Sequence, residues 1–143
     1  MSLTQSYDDQ NVFAKIIAGD LPSAKVYEDE QTLAFMDAFP QTRGHTLVIA
    51  KNVRAVNLLD VPAETLCHLI SVTQKIAQAV VDGLEPDGFR IVQFNGSQAG
   101  QTVFHLHFHI IPVYTAEPEG SHGKGQAEMA DLINHAEKIR AAL

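Results

Sequence analysis

Residues 105–112 read His-Leu-His-Phe-His-Ile-Ile-Pro, so three of the chain's seven histidines stand at every second position, separated by bulky apolar residues. On a β-strand, side chains at i, i+2 and i+4 project from one face. His105, His107 and His109 are therefore expected on one side, with Phe104, Leu106, Phe108 and Ile110 on the other, packed on a core. An exposed polar face would be satisfied by serine or threonine. A row of imidazoles offers chemistry instead, because near neutral pH imidazole is a metal ligand, a nucleophile and a proton carrier.

Geometry separates these uses. At strand spacing His105 and His109 lie about 13–14 Å apart, too far for all three rings to close on one zinc ion without a bulge. Two of them with His45 could do so, but the chain has a single cysteine and no obvious clustered carboxylate to complete the set. No metal and no cofactor are expected. The alternative is nucleophilic catalysis at phosphorus. His107, with an imidazole on either side, is then the expected nucleophile, and its neighbours orient it and move protons.

The segment before the strand, Asn95-Gly96-Ser97-Gln98-Ala99-Gly100-Gln101-Thr102, suits a phosphate. Two glycines let backbone amides converge on an anion, and Asn95 and Thr102 can add side-chain donors. No lysine or arginine lies in this loop.

Several elements must position these residues. Asn11 can cap a short helix, VFAKIIAG, closed by Gly19 and followed by Pro22. AKVYED and QTLAFMD read as short strands joined by an acidic turn near Glu28 to Glu30, and HTLVIAK (45–51) as a third. A long helix over 63–82, with Asp60 and Pro62 at its start, presents Leu66, Leu69, Ile70, Ile76, Ala77, Val80 and Val81 as one stripe. GFRIVQFN and TVFHLHFHIIPV are the last two strands, and a C-terminal helix over 126–142 carries Met129, Leu132, Ile133, Ala136 and Ile139. The connections are too short for parallel crossovers, so the fold class is α+β with a mainly antiparallel sheet.

At 143 residues one domain is expected, over 11–143, behind a loose leader at 1–10. The formal charge of −7 disfavours a nucleic-acid polymer as partner. No apolar run reaches membrane-spanning length, and the polar, acidic start lacks the pattern of a signal peptide, so a cytoplasmic protein is expected. Cys67, within a helical apolar pattern, reads as a buried structural thiol. His68 and His135 read as surface or partly packed, and His122 lies in a flexible connection at 116–125.

The chain resembles the histidine-triad (HIT) family. Its His-φ-His-φ-His-φ-φ signature is matched without a gap by His105 to Ile111, and the similarity extends over about residues 12–113 through FAKIIAGDLPSAKVYED, LAFMDAFPQTRGHTLVIAK and NGSQAGQTVFHLHFHIIP. The resemblance implies a five-stranded antiparallel sheet, a homodimer joined into a ten-stranded sheet, and cleavage of nucleotides at the α-phosphorus through a nucleotidyl-histidine. It places His107 as nucleophile and His45 with His105 and His109 in the active-site set. It assigns phosphate contacts to Asn95, Gly100, Gln101 and Thr102, the ribose to Asp37 and Ala38, and an apolar base slot to Val12, Phe13, Ile16 and Phe35.

Departures narrow the branch. Histidine in place of glutamine at the third triad position disfavours the nucleotidyltransferases. Ala14 and the lone Cys67 argue against the structural zinc of some bacterial relatives, and a helix replaces the Trp-containing tail of eukaryotic phosphoramidases. The expected activity is hydrolysis of purine nucleoside 5′-phosphoramidates or related nucleotide conjugates. The alternatives are dinucleoside polyphosphate hydrolysis and a nucleotide-binding adaptor.

Overall fold

Helix α1 (Val12–Ala18) begins where Asn11 Oδ1 accepts the Ala14 amide at 2.9 Å, and ends where Gly19 takes a left-handed conformation, φ +84°. Both ends follow the expected capping chemistry. This is the computed structural model of the chain, and it describes residues 3–117 and 125–143. Strands β1 (Lys25–Glu28), β2 (Thr32–Met36) and β3 (Thr46–Ala50) follow, then α2 (Ala63–Leu84), β4 (Gly88–Val92), a single 3₁₀ turn (Ser97–Ala99), β5 (His107–Val113) and α3 (Met129–Ala141). The strands form one sheet in the order β1-β2-β3-β5-β4, antiparallel at every pairing. The expected α+β class and five-stranded antiparallel sheet are what the chain adopts.

Both faces of the central strands are covered. On one face, Ala34, Met36, Val48, Phe108 and Ile110 meet Leu69, Val72, Ile76 and Val80 of α2 and Leu132, Ala136 and Ile139 of α3. On the other, Leu33, Phe35, Leu47 and Ile49 pack under Phe13 and Ile16 of α1. That explains why β2 and β3 are buried at every position rather than alternating. It also corrects the expectation that the histidine face is simply the uncovered one: His107 and His109 share theirs with the apolar cluster beneath α1.

Other corrections follow from packing. The final strand begins at His107, not Thr102, so His105 precedes it, and Phe104 is half-buried outside the core cluster that takes Leu106, Phe108 and Ile110. Ile70 is 45% exposed and Ile133 also faces outward, while Met129 is left partly open, because α2 and α3 bury narrower stripes than their apolar content suggested. Cys67 is exposed on α2, away from the buried Leu69–Val72–Ile76 line. Asp60 does not cap α2; its carboxylate accepts the Val56 and Asn57 amides, and Pro62 stands at the helix start.

Asp29 Oδ1 closes the β1–β2 turn by accepting the Gln31 and Thr32 amides, while its Oδ2 meets Nε2 of the partly exposed His68. His135 is half-buried on α3. The segment read as a loose leader makes side-chain contacts with the rest of the chain from Leu3 onward. His122 and most of the 116–125 connection lie outside the described residues. Among the described residues no helix is long and apolar enough to cross a membrane.

Candidate active site

The β2–β3 hairpin brings Asp37 beside His45. Met36 pairs with Thr46, so the residues just beyond each strand end face each other, and the Asp37 amide donates to the His45 carbonyl at 2.9 Å. Gly44 makes the approach possible with φ +90°; a Cβ there would run into Leu84 Cδ1 and crowd Pro112 Cγ at 3.3 Å. On the neighbouring strand, His107 lies opposite Ile49 and His109 opposite Leu47. His45, His107 and His109 thereby converge, with ring centroids 5.2 Å apart for His45–His109 and 4.8 Å for His107–His109.

The partners of each ring settle where its proton sits. A backbone amide can only donate and a carbonyl can only accept. The Gln41 amide donates to His45 Nδ1 at 3.0 Å, so neutral His45 carries its proton on Nε2. That Nε2–H faces His109 Nδ1 at 2.9 Å and Asp37 Oδ2 at 3.4 Å. His109 Nδ1 is therefore the acceptor, and His109 holds its proton on Nε2. His107 is the reverse: its Nδ1 lies 2.7 Å from the His105 carbonyl and must donate, leaving Nε2 as the nitrogen with a free lone pair. His105 Nε2 donates to the Ala50 carbonyl at 3.0 Å, and its Nδ1 meets the Tyr7 hydroxyl at 2.8 Å.

Burial determines their charge. Desolvation lowers the pKa of all four, only partly offset at His45 by the Asp37 carboxylate and at His107 by the His105 carbonyl. His105 is brought down to about 4, and His109 to about 3 by burial and by the neighbouring His107 and His45. All four imidazoles thus lie below their ordinary value, and burial keeps the set neutral at pH 7 in the free protein.

The rings of His45, His107 and His109 line a cleft of about 470 Å³. Val12, Phe13, Ile16 and Phe35 line it, as do Asp37, Ala38, Gly100 and Thr102, so most of the expected site residues come together in one place. Three do not. His105 is 1% exposed and lies outside the cleft wall, reaching His107 through its carbonyl rather than as a flanking ring. The Asn95 amide is engaged with the Leu58 amide and the Gln93 side chain. Gln101 is buried, accepting the Gly96 amide and donating to the Val56 and Val103 carbonyls. Its side chain builds the loop, which corrects its assignment as a phosphate contact; Gly100 and Thr102 remain at the cleft.

Sequence reasoning missed several residues. Phe94 stands edge-on to His109 at 5.4 Å. Leu47 and Val103 extend the apolar wall, and Met129 and Leu132 reach it from α3. The Ala127 amide donates to the Ala38 carbonyl at 2.9 Å and seats the start of α3 beside the cleft. Only the hydrophobicity of these residues was visible, and a core reading accounted for that.

Asp37, His45 and His109 each offer a ligand atom, all within 4.8 Å of one another. Asp37 is the clustered carboxylate that the sequence did not reveal. A metal there would need the same atoms that share the His45 Nε2–H, so it would have to displace that proton.

Among proteins of known sequence, the chain is 46% identical over 129 residues to "Protein hit" of Bacillus subtilis, spanning 90% of this chain and 83% of that one. It is 39% identical over 101 residues to adenylylsulfatase HINT3 of Arabidopsis thaliana, 71% of this chain and 51% of the relative. The crystal structure of a HIT-like protein from Bartonella henselae, involved in cell-cycle regulation, superimposes with TM-score 0.88 at 46% identity, covering 96% of this chain and all of that one. Residues 18–116 match the HIT domain. The match runs from the end of α1 through β5 and takes in every strand that builds the cleft; the chain belongs to the HIT domain family.

Proposed function

We propose that the protein hydrolyses purine nucleoside 5′-phosphoramidates or related nucleotide conjugates, in the manner of the nucleoside-phosphoramidase-like branch. The supporting observation is the pair of opposed tautomers: His107 presents an unprotonated Nε2 while His109, 4.8 Å away, keeps its proton on Nε2. One ring is set to attack and the next to protonate. The apolar slot accepts the base, Asp37 takes the ribose hydroxyls, and the loop at Gly100 and Thr102 holds the phosphate oxygens.

His107 Nε2 forms a bond to the α-phosphorus as the P–N bond breaks, its electron pair leaving on nitrogen. That nitrogen takes a proton from His109, which makes it a good leaving group. The negative charge of the bound phosphate raises the pKa of the adjoining imidazoles, so the proton enters with the substrate. Water then attacks phosphorus, the N–P bond breaks, and the nucleoside monophosphate departs as the water proton returns to the histidine pair. The named activity of the Arabidopsis relative, on an adenylyl conjugate, is in keeping with this.

The test is a substrate panel assayed after prolonged chelation: adenosine 5′-phosphoramidate, adenylyl sulfate and a diadenosine polyphosphate. The phosphoramidate should turn over fastest, chelation should change nothing, and a quenched reaction should carry the nucleotide on His107. Activity lost with the metal would make this a zinc enzyme, and no turnover with tight nucleotide binding would make it an adaptor.

The same reading includes a homodimer. Strand β4 is an edge of the sheet, and Phe89 and Ile91 on it are 46% and 40% exposed beside the exposed Ile70 of α2. A groove of about 510 Å³ separates the two elements. An open edge with exposed apolar residues is a template for pairing, and a second β4 set against it would give ten strands. Light scattering should show a dimer, and Phe89→Glu with Ile91→Glu should give a folded monomer; a dimer surviving both changes would place the interface elsewhere.

A further inference from the structure

Tyr7 belongs to none of the expected site residues, yet its hydroxyl lies 2.8 Å from His105 Nδ1. Its ring stands 5.5 Å from the His105 ring. The segment carrying it is tied down on both sides. The Arg54 guanidinium sits 5.3 Å from the Tyr7 ring centroid and binds both carboxylate oxygens of Asp9 at 2.8 and 2.9 Å. Asn11, the cap of α1, donates to the Asp8 carbonyl at 2.8 Å, so Tyr7 is held close to the start of the helix that covers the histidines.

His105 is fully enclosed, and both of its ring nitrogens need partners there. The Ala50 carbonyl at the end of β3 can only accept, so it requires a proton on Nε2. Nδ1 must then accept, and the Tyr7 O–H is the group that supplies the proton. Burial holds that hydroxyl above its ordinary pKa, so it remains a donor at neutral pH. The same His105 residue lends its carbonyl to His107 Nδ1–H at 2.7 Å, the bond that leaves the lone pair on His107 Nε2. Two hydrogen bonds, Tyr7 to the His105 ring and the His105 carbonyl to His107 Nδ1, thus link the N-terminal segment to the ring that attacks, while a third ties His105 to Ala50.

We propose that Tyr7 is a positioning residue of the site: by donating to His105 Nδ1 it holds that ring in one tautomer against Ala50 and steadies the carbonyl that orients His107. The inference rests on the assignment of His107 as nucleophile. Tyr7 touches neither substrate nor the reacting atoms, so its effect should fall on the chemical step rather than on nucleotide binding.

Tyr7→Phe removes the hydroxyl and keeps the ring. In the full-length chain it should lower kcat for adenosine 5′-phosphoramidate about 3- to 10-fold, the worth of one hydrogen bond, with KM within about twofold. In ¹⁵N spectra of the imidazoles, the His105 nitrogens should move from a single Nε2–H tautomer toward a mixture. Tyr7→Leu, which also removes the ring, should shift the same signals. If Phe left both kcat and the His105 signals as in the parent while Leu alone disturbed them, packing and not the hydroxyl would be at work, and the proposal would be overturned. Should the parent protein turn over no nucleotide conjugate, the proposed function falls separately, and the His105 spectra still decide whether Tyr7 sets the tautomer.

Discussion

Replacing His107 with alanine is expected to lower turnover of an adenosine 5′-phosphoramidate by about 10³-fold or more, the scale seen when a covalent nucleophile is removed. Binding of the product AMP should change by less than about tenfold, because a nucleophile contributes mainly to the transition state. The asymmetry follows from the site's construction. The apolar wall of Phe13, Ile16 and Phe35 and the carboxylate of Asp37 lie on α1 and around β2, and they do not depend on the imidazole for their position. His107 itself packs edge-on to Phe13 at 4.9 Å, so alanine leaves a small gap beneath α1 but no buried group deprived of its only partner except the His105 carbonyl. Single-turnover kinetics on the variant, alongside calorimetric titration with AMP, make the check. Near-parental turnover would remove His107 from the role of nucleophile; a parallel collapse of AMP affinity would show instead that the cleft had lost its shape.

The second large effect concerns stability toward acid. An exposed histidine of the unfolded chain titrates near pH 6.5, whereas His105 and His109 in the folded protein take up protons only at about 4 and about 3. Between these values the unfolded state binds more protons than the folded one, so unfolding free energy falls as the pH falls. The contribution is fully present above pH 6.5 and is lost progressively on the way down through the folded-state values. From pH 7 to 4.5 the two rings together should remove on the order of 5 kcal/mol, comparable with the whole stability of a small domain. His45 and His107 act in the same direction.

Urea unfolding at several pH values should therefore show a steep fall in midpoint between pH 6.5 and 4.5, before carboxylates such as Asp29, held at about 2, begin to take up protons. A midpoint unchanged across that interval would mean that the imidazoles are charged or solvated in the folded state. The same neutral set bears on catalysis: since the acid's proton is taken up with the substrate, kcat/KM should rise as pH falls through 6.5, and the rise should end only at more acid values where the free protein's nucleophile itself takes up a proton.

Much of the site could be read directly from residue types. Alternation across His105-Leu106-His107-Phe108-His109 marked the row of imidazoles, and Asn11 and Gly19 marked the ends of α1, because capping and strand alternation are local rules that act within a few residues. His45 and Asp37 were assigned through the family resemblance, not through a local rule. The contributions from remote segments were visible in neither way. Tyr7 lies 98 residues from the ring it contacts, and Met129 and Leu132 reach the cleft from the other end of the chain. Nothing in a tyrosine or a methionine by itself distinguishes a wall of the site from a piece of core or a loose end.

From its sequence alone, then, this protein had its antiparallel α+β class and its triad, since both depend on periodicity or on short motifs, while the approximate membership of its cleft followed from the family resemblance. Tertiary structure decided which nitrogen of each histidine holds the proton, that His105 supports His107 through its carbonyl, that Asn95 is engaged by Leu58 and Gln93, and that Gln101 is buried in the loop. Those outcomes depend on which carbonyl or amide each ring or side chain meets across strands and loops far apart in the chain. They depend equally on the removal of water that keeps the buried imidazoles neutral, and no local pattern of residues records either one.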